Sequence, residues 1–396
     1  MVINPFILML TIYFIANTYA FFNVVQGGGF FAFDNFYDLS IESIIVTYIL
    51  QVFFFVITYL FYYGFFKKQS LVVELGDRYG YFLLFITVSF FIFNLSTGAG
   101  KAGSGFSFEE TNIFNYLFVL LQPDIWFLIV APFLRSKRLF WLVSVVFLFS
   151  LLSRGWMGSV LIIFLVYLIR YYPVKVTLKN SFLFFILGII LALLLPVFDA
   201  LKWGLRSSLA LSVIFSNLLA KDYWTVFTLV FESVIDRFQN FKYAAYTIQN
   251  SMYFQDQLFI GNISWFYQNG ILSAIYCKFT HCPTDLNIYV AETMVGEVGL
   301  TWNVDPGLSG WVGMLGIYSP FIFAFTLLIL FFSAYFFRRV IGTRGVLLFF
   351  TFSLLYFFHG WFNPFFNLVL YSFVFYFLLK LRVLCYEKNY SYHHGS

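Results

Sequence analysis

Arg154 stands in Leu152-Ser153-Arg154-Gly155-Trp156, between two short apolar stretches, and Arg206 and Arg237 lie near the two ends of a later, more polar region. A guanidinium keeps its charge at any physiological pH, and its fork of N–H donors fits phosphate oxygens in pairs. Several of them on one side of a membrane suit a diphosphate-bearing ligand better than a neutral solute. Each also has a plainer reading: Arg154 as a snorkelling or helix-pairing arginine, the other two as solvated face residues. Glu292 and Glu297, in Val290-Ala291-Glu292-Thr293-Met294-Val295-Gly296-Glu297, can serve as a general base toward a hydroxyl. His281 is a substitute, because an imidazole titrates nearer neutrality. Glu292 is the first choice, although loop carboxylates are common without any such role. Asp124 follows Pro123 inside an apolar stretch and reads as the cap of a Pro-broken helix or as a group lining a path. His359, in Phe358-His359-Gly360-Trp361, reads as a capping or interface-anchoring residue.

The elements that must position these residues are apolar. The chain has 396 residues, 61% of them hydrophobic and 10% charged, with a mean hydropathy of +0.86. A soluble chain is about 25% charged, so an ordinary water-soluble enzyme, a disordered protein and a nucleic-acid binder are excluded. The net charge of +5 is not the basic stripe that a phosphate backbone requires. Ten stretches approach the length needed to cross hydrocarbon: 5–26, 43–66, 79–96, 112–133, 139–153, 155–170, 181–198, 310–336, 345–360 and 364–384. The first lacks a basic n-region and a good cleavage signal, and reads as an uncleaved anchor.

The connections sort by charge. Alternate loops hold Lys67, Lys68 and Arg78; Arg135, Lys137 and Arg138; Arg170, Lys175 and Lys179; Arg338, Arg339 and Arg344; and Lys380, Arg382 and Lys388, against the acids Glu74, Asp77 and Glu387. The positive-inside rule places this set and both termini in the cytoplasm. The predicted fold is therefore an all-α polytopic membrane protein of about ten transmembrane helices. Its parts are spans one to seven (1–198), a long outer segment (199–309), spans eight to ten (310–384) and a cytoplasmic tail (385–396). Within the outer segment Leu205, Leu209, Val213 or Ile214, and Leu218 recur at helical spacing, and the apolar run from Tyr223 to Ile235 ends in charges, so both are read as interfacial or re-entrant helices.

Cys277 and Cys282 lie in that outer segment, where an oxidising compartment permits a disulfide without requiring one; Cys385, in the tail, is read as a free thiol. His281 between the cysteines is a weak metal signal, and no cysteine–histidine cluster suggests a metal site. No phosphate-binding glycine loop, dinucleotide fingerprint, zinc-protease or serine-hydrolase motif is present. No inner loop is long enough for a catalytic domain, so chemistry is expected on the outer face, without nucleotide, metal or other cofactor.

Ser153-Arg154-Gly155 opening a short span, Asp236-Arg237-Phe238 in the long outer segment, and Pro306-Gly307-Leu308-Ser309-Gly310 running toward Gly313 and Gly316 resemble bacterial O-antigen and other oligosaccharide repeat-unit polymerases of the Wzy type. The likeness covers most of the chain as a layout and these short patches as residues. It implies an inner-membrane glycosyltransferase with a periplasmic active site, moving a glycan from undecaprenyl diphosphate onto an incoming lipid-linked repeat unit. It further implies the bilayer, a flippase and a chain-length regulator as partners, and no nucleic acid. Arg154, Arg206 and Arg237 match the family's anion-holding arginines, although paired arginine–glycine loop motifs are not cleanly present. Two other readings stand beside it, a ligase that shares the overall plan and a flippase of a different class, which the nearly charge-free spans disfavour. An O-antigen ligase would transfer the glycan to lipid A core, and a lipid-linked oligosaccharide flippase would line a central cavity with charge and show internal repeats.

Overall fold

The computed structural model describes residues 2–66, 74–98, 113–156, 158–175, 177–206, 211–220, 222–277, 279–280, 282–300 and 303–380. Helix dominates, and the strands among these residues form three two-stranded sheets. Six helices among the described residues are long and apolar enough to cross a membrane: Pro5–Gly27, Ile41–Phe66, Asp77–Thr97, Tyr116–Phe133, Gly316–Ile341 and Phe362–Leu379. Ser159–Arg170 and Thr343–Phe358 are apolar but shorter. Ile15, Tyr19, Ile49, Phe85, Phe332 and Phe377 project from the long helices as exposed side chains. Such surfaces aggregate in water and are matched by acyl chains in a bilayer. This is a helical, membrane-embedded protein.

Three predicted spans are interrupted, each beside a proline or a left-handed residue. The fourth divides into Ile113–Leu121 and Pro123–Val130, with Gln122 in the left-handed region and Pro123 at the first helical position, where its missing N–H costs nothing. The seventh bends at Leu194 into a second helix, Leu195–Arg206, that starts at Leu195-Pro196. The eighth begins as a separate helix, Gly307–Met314, and resumes as Ser319–Ile341 after Gly316, whose φ is +52°. Beyond the bend at Leu194, Leu195–Arg206 and Leu211–Leu219 flank residues outside the described set, and Gly204 is seated tightly against Ile214. The helix Tyr223–Asp236 buries none of its residues.

The chain forms two compact units, one of residues 1–5, 73–235 and 374–396, the other of 6–72 and 236–373. In the first, Asp77–Thr97 packs along Lys137–Ser153, with Gly80 against Leu139 and Leu134. The Ser136 hydroxyl caps the latter helix by accepting from Leu139 N–H. Buried Arg170 donates to the backbone carbonyls of Ala131 and Leu134 and lies 4.6 Å from the Phe140 ring centre.

The second unit is built around Gly307–Met314. Gly310 meets Ala244 and Gly313 meets Ile248 and Leu50, so small residues let this helix approach its neighbours closely. The glycine-rich stretch after the first span is a β-hairpin, Gly29–Ala32 paired with Asn35–Asp38. Its two loop residues, Phe33 and Asp34, both have positive φ, the geometry that matches the twist of paired strands. Tyr37 Oη donates to Met294 O at 2.6 Å and Gln249 Nε2 to Asp38 O at 2.9 Å, fastening the hairpin to the helices Leu286–Val295 and Phe241–Gln249.

Gly307 has φ +65°, and a Cβ there would overlap the Asn240 side chain and approach the Phe358 carbonyl. Gly360, with φ +100°, lies against the Gly307 backbone. Gly307→Ala is expected to cost about 1–3 kcal/mol from backbone conformation alone, with the overlap adding to it. The check is the Tm of the detergent-solubilised protein. Gly261→Ala, at φ +86° with open space around it, should show a smaller drop.

Candidate functional site

The first unit holds a buried arginine–carboxylate pair. Arg154 ends the helix Lys137–Ser153 and is buried, whereas an unpaired arginine in that position would be prohibitive. Its Nη2 donates to both carboxylate oxygens of Asp124 at 2.9 Å, its Nε to Ser150 O at 3.2 Å, and its guanidinium lies 4.8 Å from the Phe90 ring centre. Asp124 is in the first turn of Pro123–Val130, where a carboxylate also meets the positive helix end. Asp124 and Arg154 are thus partners, and of the readings open for Arg154 this geometry matches helix pairing.

The second unit holds a larger polar centre, assembled where two helices break. Asp305 precedes Pro306 and the helix Gly307–Met314; His359 and Trp361 follow a π-helical turn, Leu354–Phe358. Such turns widen a helix by one residue and recur at functional sites. Trp361 Nε1 donates to Asp305 Oδ2 at 2.9 Å and Asn287 Nδ2 to Oδ1 at 2.8 Å. His359 Nε2 lies 3.5 Å from Oδ2. Asn287, on the helix Leu286–Val295, also donates to Gly360 O at 3.1 Å, and its own carbonyl accepts from Val304 N–H at 3.2 Å. The carboxylate is thereby held from both sides while its side chain keeps 17% exposure against 5% for His359.

A buried amide network lies one layer further in. Asn240 Nδ2 donates to Phe358 O at 3.1 Å, and its Oδ1 accepts from Gln51 Nε2 at 2.7 Å. Gln51 Nε2 also reaches Ser309 Oγ at 3.3 Å, and Asn17 Oδ1 accepts from Asn240 N–H at 3.2 Å. Tyr13 Oη, Gln51 Oε1 and His359 Nδ1 are buried without a hydrogen bond among the described residues. Native interiors leave few polar atoms in that state, and functional sites are a usual reason for it. Tyr243, on the helix Phe241–Gln249, is pushed up to about 12 by burial and then by the Asp236 and Asp305 carboxylates, so it remains a neutral phenol.

The chain matches no protein-family model, no curated protein and no solved structure.

The residues singled out from sequence are placed as follows. Arg237 is exposed in the turn after Tyr223–Asp236, beside an Asp236 that pairs with Lys242 at 3.0 Å. Arg206 closes the helix Leu195–Arg206, but its side chain lies outside what is described, and so does His281. Glu292 sits in Leu286–Val295 and accepts from Gly299 N–H at 2.6 Å, closing the loop after its helix; Glu297 is exposed in that loop. Cys277 and Cys282 form a disulfide with Cα atoms 5.3 Å apart. Among the described residues no cluster of three or more metal-ligating side chains occurs. Asp305 has no distinctive signal of its own in sequence, because a carboxylate before Pro306 resembles any turn residue. The signal that points to it is the pair of glycine-containing breaks, Pro306-Gly307 and His359-Gly360, in otherwise apolar segments.

Removing Asp124 leaves Arg154 buried without its counter-ion. Asp124→Ala should cost about 1.5–3 kcal/mol, and the double variant with Arg154→Ala should recover part of that loss in a double-mutant cycle of detergent unfolding. Additive effects would show that the pair carries no coupling.

Proposed function

We propose that this protein is a membrane glycosyltransferase of the repeat-unit polymerase kind. It would span the inner membrane ten times with both termini inside, and act on its periplasmic face. The observation that carries the reading is the Asp305–His359 pair, a carboxylate oriented by two N–H donors with an imidazole beside it, set between helix ends in the unit that contains most of the outer segment. In the reaction an acceptor sugar hydroxyl attacks the anomeric carbon of a glycan on undecaprenyl diphosphate. The new glycosidic C–O bond forms as the bond to the diphosphate breaks, and the electron pair departs with the lipid diphosphate. The hydroxyl proton passes to the Asp305–His359 pair, a general-base role. The pair is placed ahead of Glu292 because an imidazole stands beside the carboxylate; Glu292, which accepts from the Gly299 backbone through one oxygen, stays a second candidate. Exposed Arg237 is the group offered to the departing diphosphate, where fixed positive charge stabilises the developing negative charge. Arg206 stays a candidate by its position in the sequence, and Arg154 contributes by holding its two helices together.

The test is the surface glycan ladder of a deletion strain complemented with variants at matched membrane levels. Asp305→Asn and His359→Ala should leave single capped repeats and remove the long chains, with at least a 100-fold loss of polymer, in line with the usual weight of a general base. Arg237→Ala should shorten the chains. Unchanged ladders would sink the assignment, and loss of all capping would mean a ligase.

Orientation is tested separately. A membrane-impermeant maleimide applied to whole spheroplasts should label Cys277 and Cys282 after reduction and not before it. Cys385 should react once the membrane is permeabilised. Labelling of Cys385 from outside would reverse the topology.

A further inference from the structure

Between Lys242 and Lys278 the chain carries a single ionisable acid, Asp256, but four glutamines, three asparagines, five tyrosines and Trp265. Three of these groups, Tyr253, Gln257 and Asn262, meet Tyr289 on the surface of the second unit. Tyr253 and Gln257 are one turn apart on Ser251–Phe259, and Tyr289 projects from Leu286–Val295. Tyr289 Oη donates to Gln257 Oε1 at 2.9 Å, Asn262 Nδ2 donates to the same oxygen at 2.7 Å, and the Tyr253 and Tyr289 hydroxyls are 3.2 Å apart. The two phenol rings lie side by side, with centres 6.3 Å apart and planes inclined by 35°. Tyr253 and Asn262 are exposed. Burial, then Tyr253 and the Glu292 carboxylate, push Tyr289 up to about 12, which keeps it a neutral donor.

Since Gln257 accepts both bonds through Oε1, its Nε2 remains as a pair of donors among the described residues, and Asn262 Oδ1 remains as an acceptor. The hydrogen-bond chain fixes these groups before any ligand arrives, which lowers the entropy lost on binding. A tyrosine face presents apolar surface to the C–H face of a sugar ring, while alternating donors and acceptors suit its vicinal hydroxyls. Asp256, exposed on the same helix, and Glu292 add negative charge, which repels an acidic sugar and tolerates a neutral one. Asn287, which holds Asp305, is two residues from Tyr289 and therefore about 200° round the same helix. One rigid element thus carries both the ridge and a ligand of the reactive carboxylate.

We infer that this Tyr253–Gln257–Tyr289–Asn262 ridge binds an uncharged oligosaccharide. The inference names the substrate class of the transferase reading and rests on it for its biological role. The test uses the full chain in lipid nanodiscs on a printed array of neutral and uronic-acid-containing bacterial oligosaccharides. Neutral glycans should be retained in preference to acidic ones. Gln257→Ala and Tyr253→Ala should each weaken retention about 10-fold, the equivalent of about 1.4 kcal/mol, and the Tyr253→Ala variant should keep its Tm because that side chain is exposed. Tyr253→Phe, which keeps the ring, should keep most of the binding. No glycan retained, a preference for acidic glycans, or retention indifferent to Gln257→Ala and Tyr253→Ala would each overturn the inference. Failure of the transferase reading would appear instead as unchanged ladders in the Asp305 and His359 variants, a result the array does not register.

Discussion

An amide buried inside an apolar bundle has no water to satisfy it, and the second unit is arranged around that requirement at Asn240. Its side chain joins Gln51 from one helix to the carbonyl of Phe358 on another, while its backbone N–H is taken by Asn17 from a third. Each unmade bond would cost about 1–3 kcal/mol, so these helices are held in register by more than apolar fit. Van der Waals packing alone specifies register weakly between helices surrounded by lipid, where no hydrophobic gain accompanies their association.

Two local departures from regular helix make the arrangement possible. The π-helical turn Leu354–Phe358 ends the helix at Phe358, whose carbonyl, with no further turn to receive it, accepts from Asn240. The left-handed Gly307 brings the chain close enough to Asn240 and Gly360 for Asp305, two residues earlier, to lie within reach of Trp361 and His359. A carboxylate in an apolar setting is tolerable only when donors surround it. Asp305 has them on both oxygens, which explains how it stays near the interior with its geometry defined.

Composition and charge made the membrane-embedded, helical character legible, and the helices Pro5–Gly27, Ile41–Phe66 and Asp77–Thr97 fall close to the stretches 5–26, 43–66 and 79–96 read from sequence. The breaks were less legible. Gly316 and Pro196 sit in runs so apolar that hydropathy overrode the local stop signals, and the Gly29–Asp38 hairpin was hidden by its aromatics, which do not alternate with polar residues. Within the site, the chemistry-bearing types were visible but their partners were not. Asp124 and Arg154 are 30 positions apart, and Asp305 and His359 are separated by the whole helix Ser319–Ile341. Spacing rules reach one or two helical turns, so pairings of that range wait on the fold. Glu292 shows the converse: a carboxylate at a promising place was claimed by a backbone N–H seven residues away.

The 60 phenylalanines and 28 tyrosines divide the same labour between packing and polarity. Phe266 is buried among the rings of Trp311, Phe325, Phe357 and Phe362, with centres 5.5–6.3 Å away in tilted and edge-on contacts. Rings packed edge to face gain attraction that aliphatic side chains do not, an advantage where lipid competes equally for any apolar surface. The Tyr13 ring lies edge-on to Phe238, Phe358 and His359, and Trp361 stands edge-on to His359 from another side. That wall keeps water from the imidazole. Exclusion of water strengthens the attraction between Asp305 and its donors, since the same charges interact more strongly at low dielectric. The aromatic excess near Asp305 is therefore part of the site's electrostatics as well as of its packing, and replacing those rings with aliphatic side chains of similar hydropathy would not be neutral there.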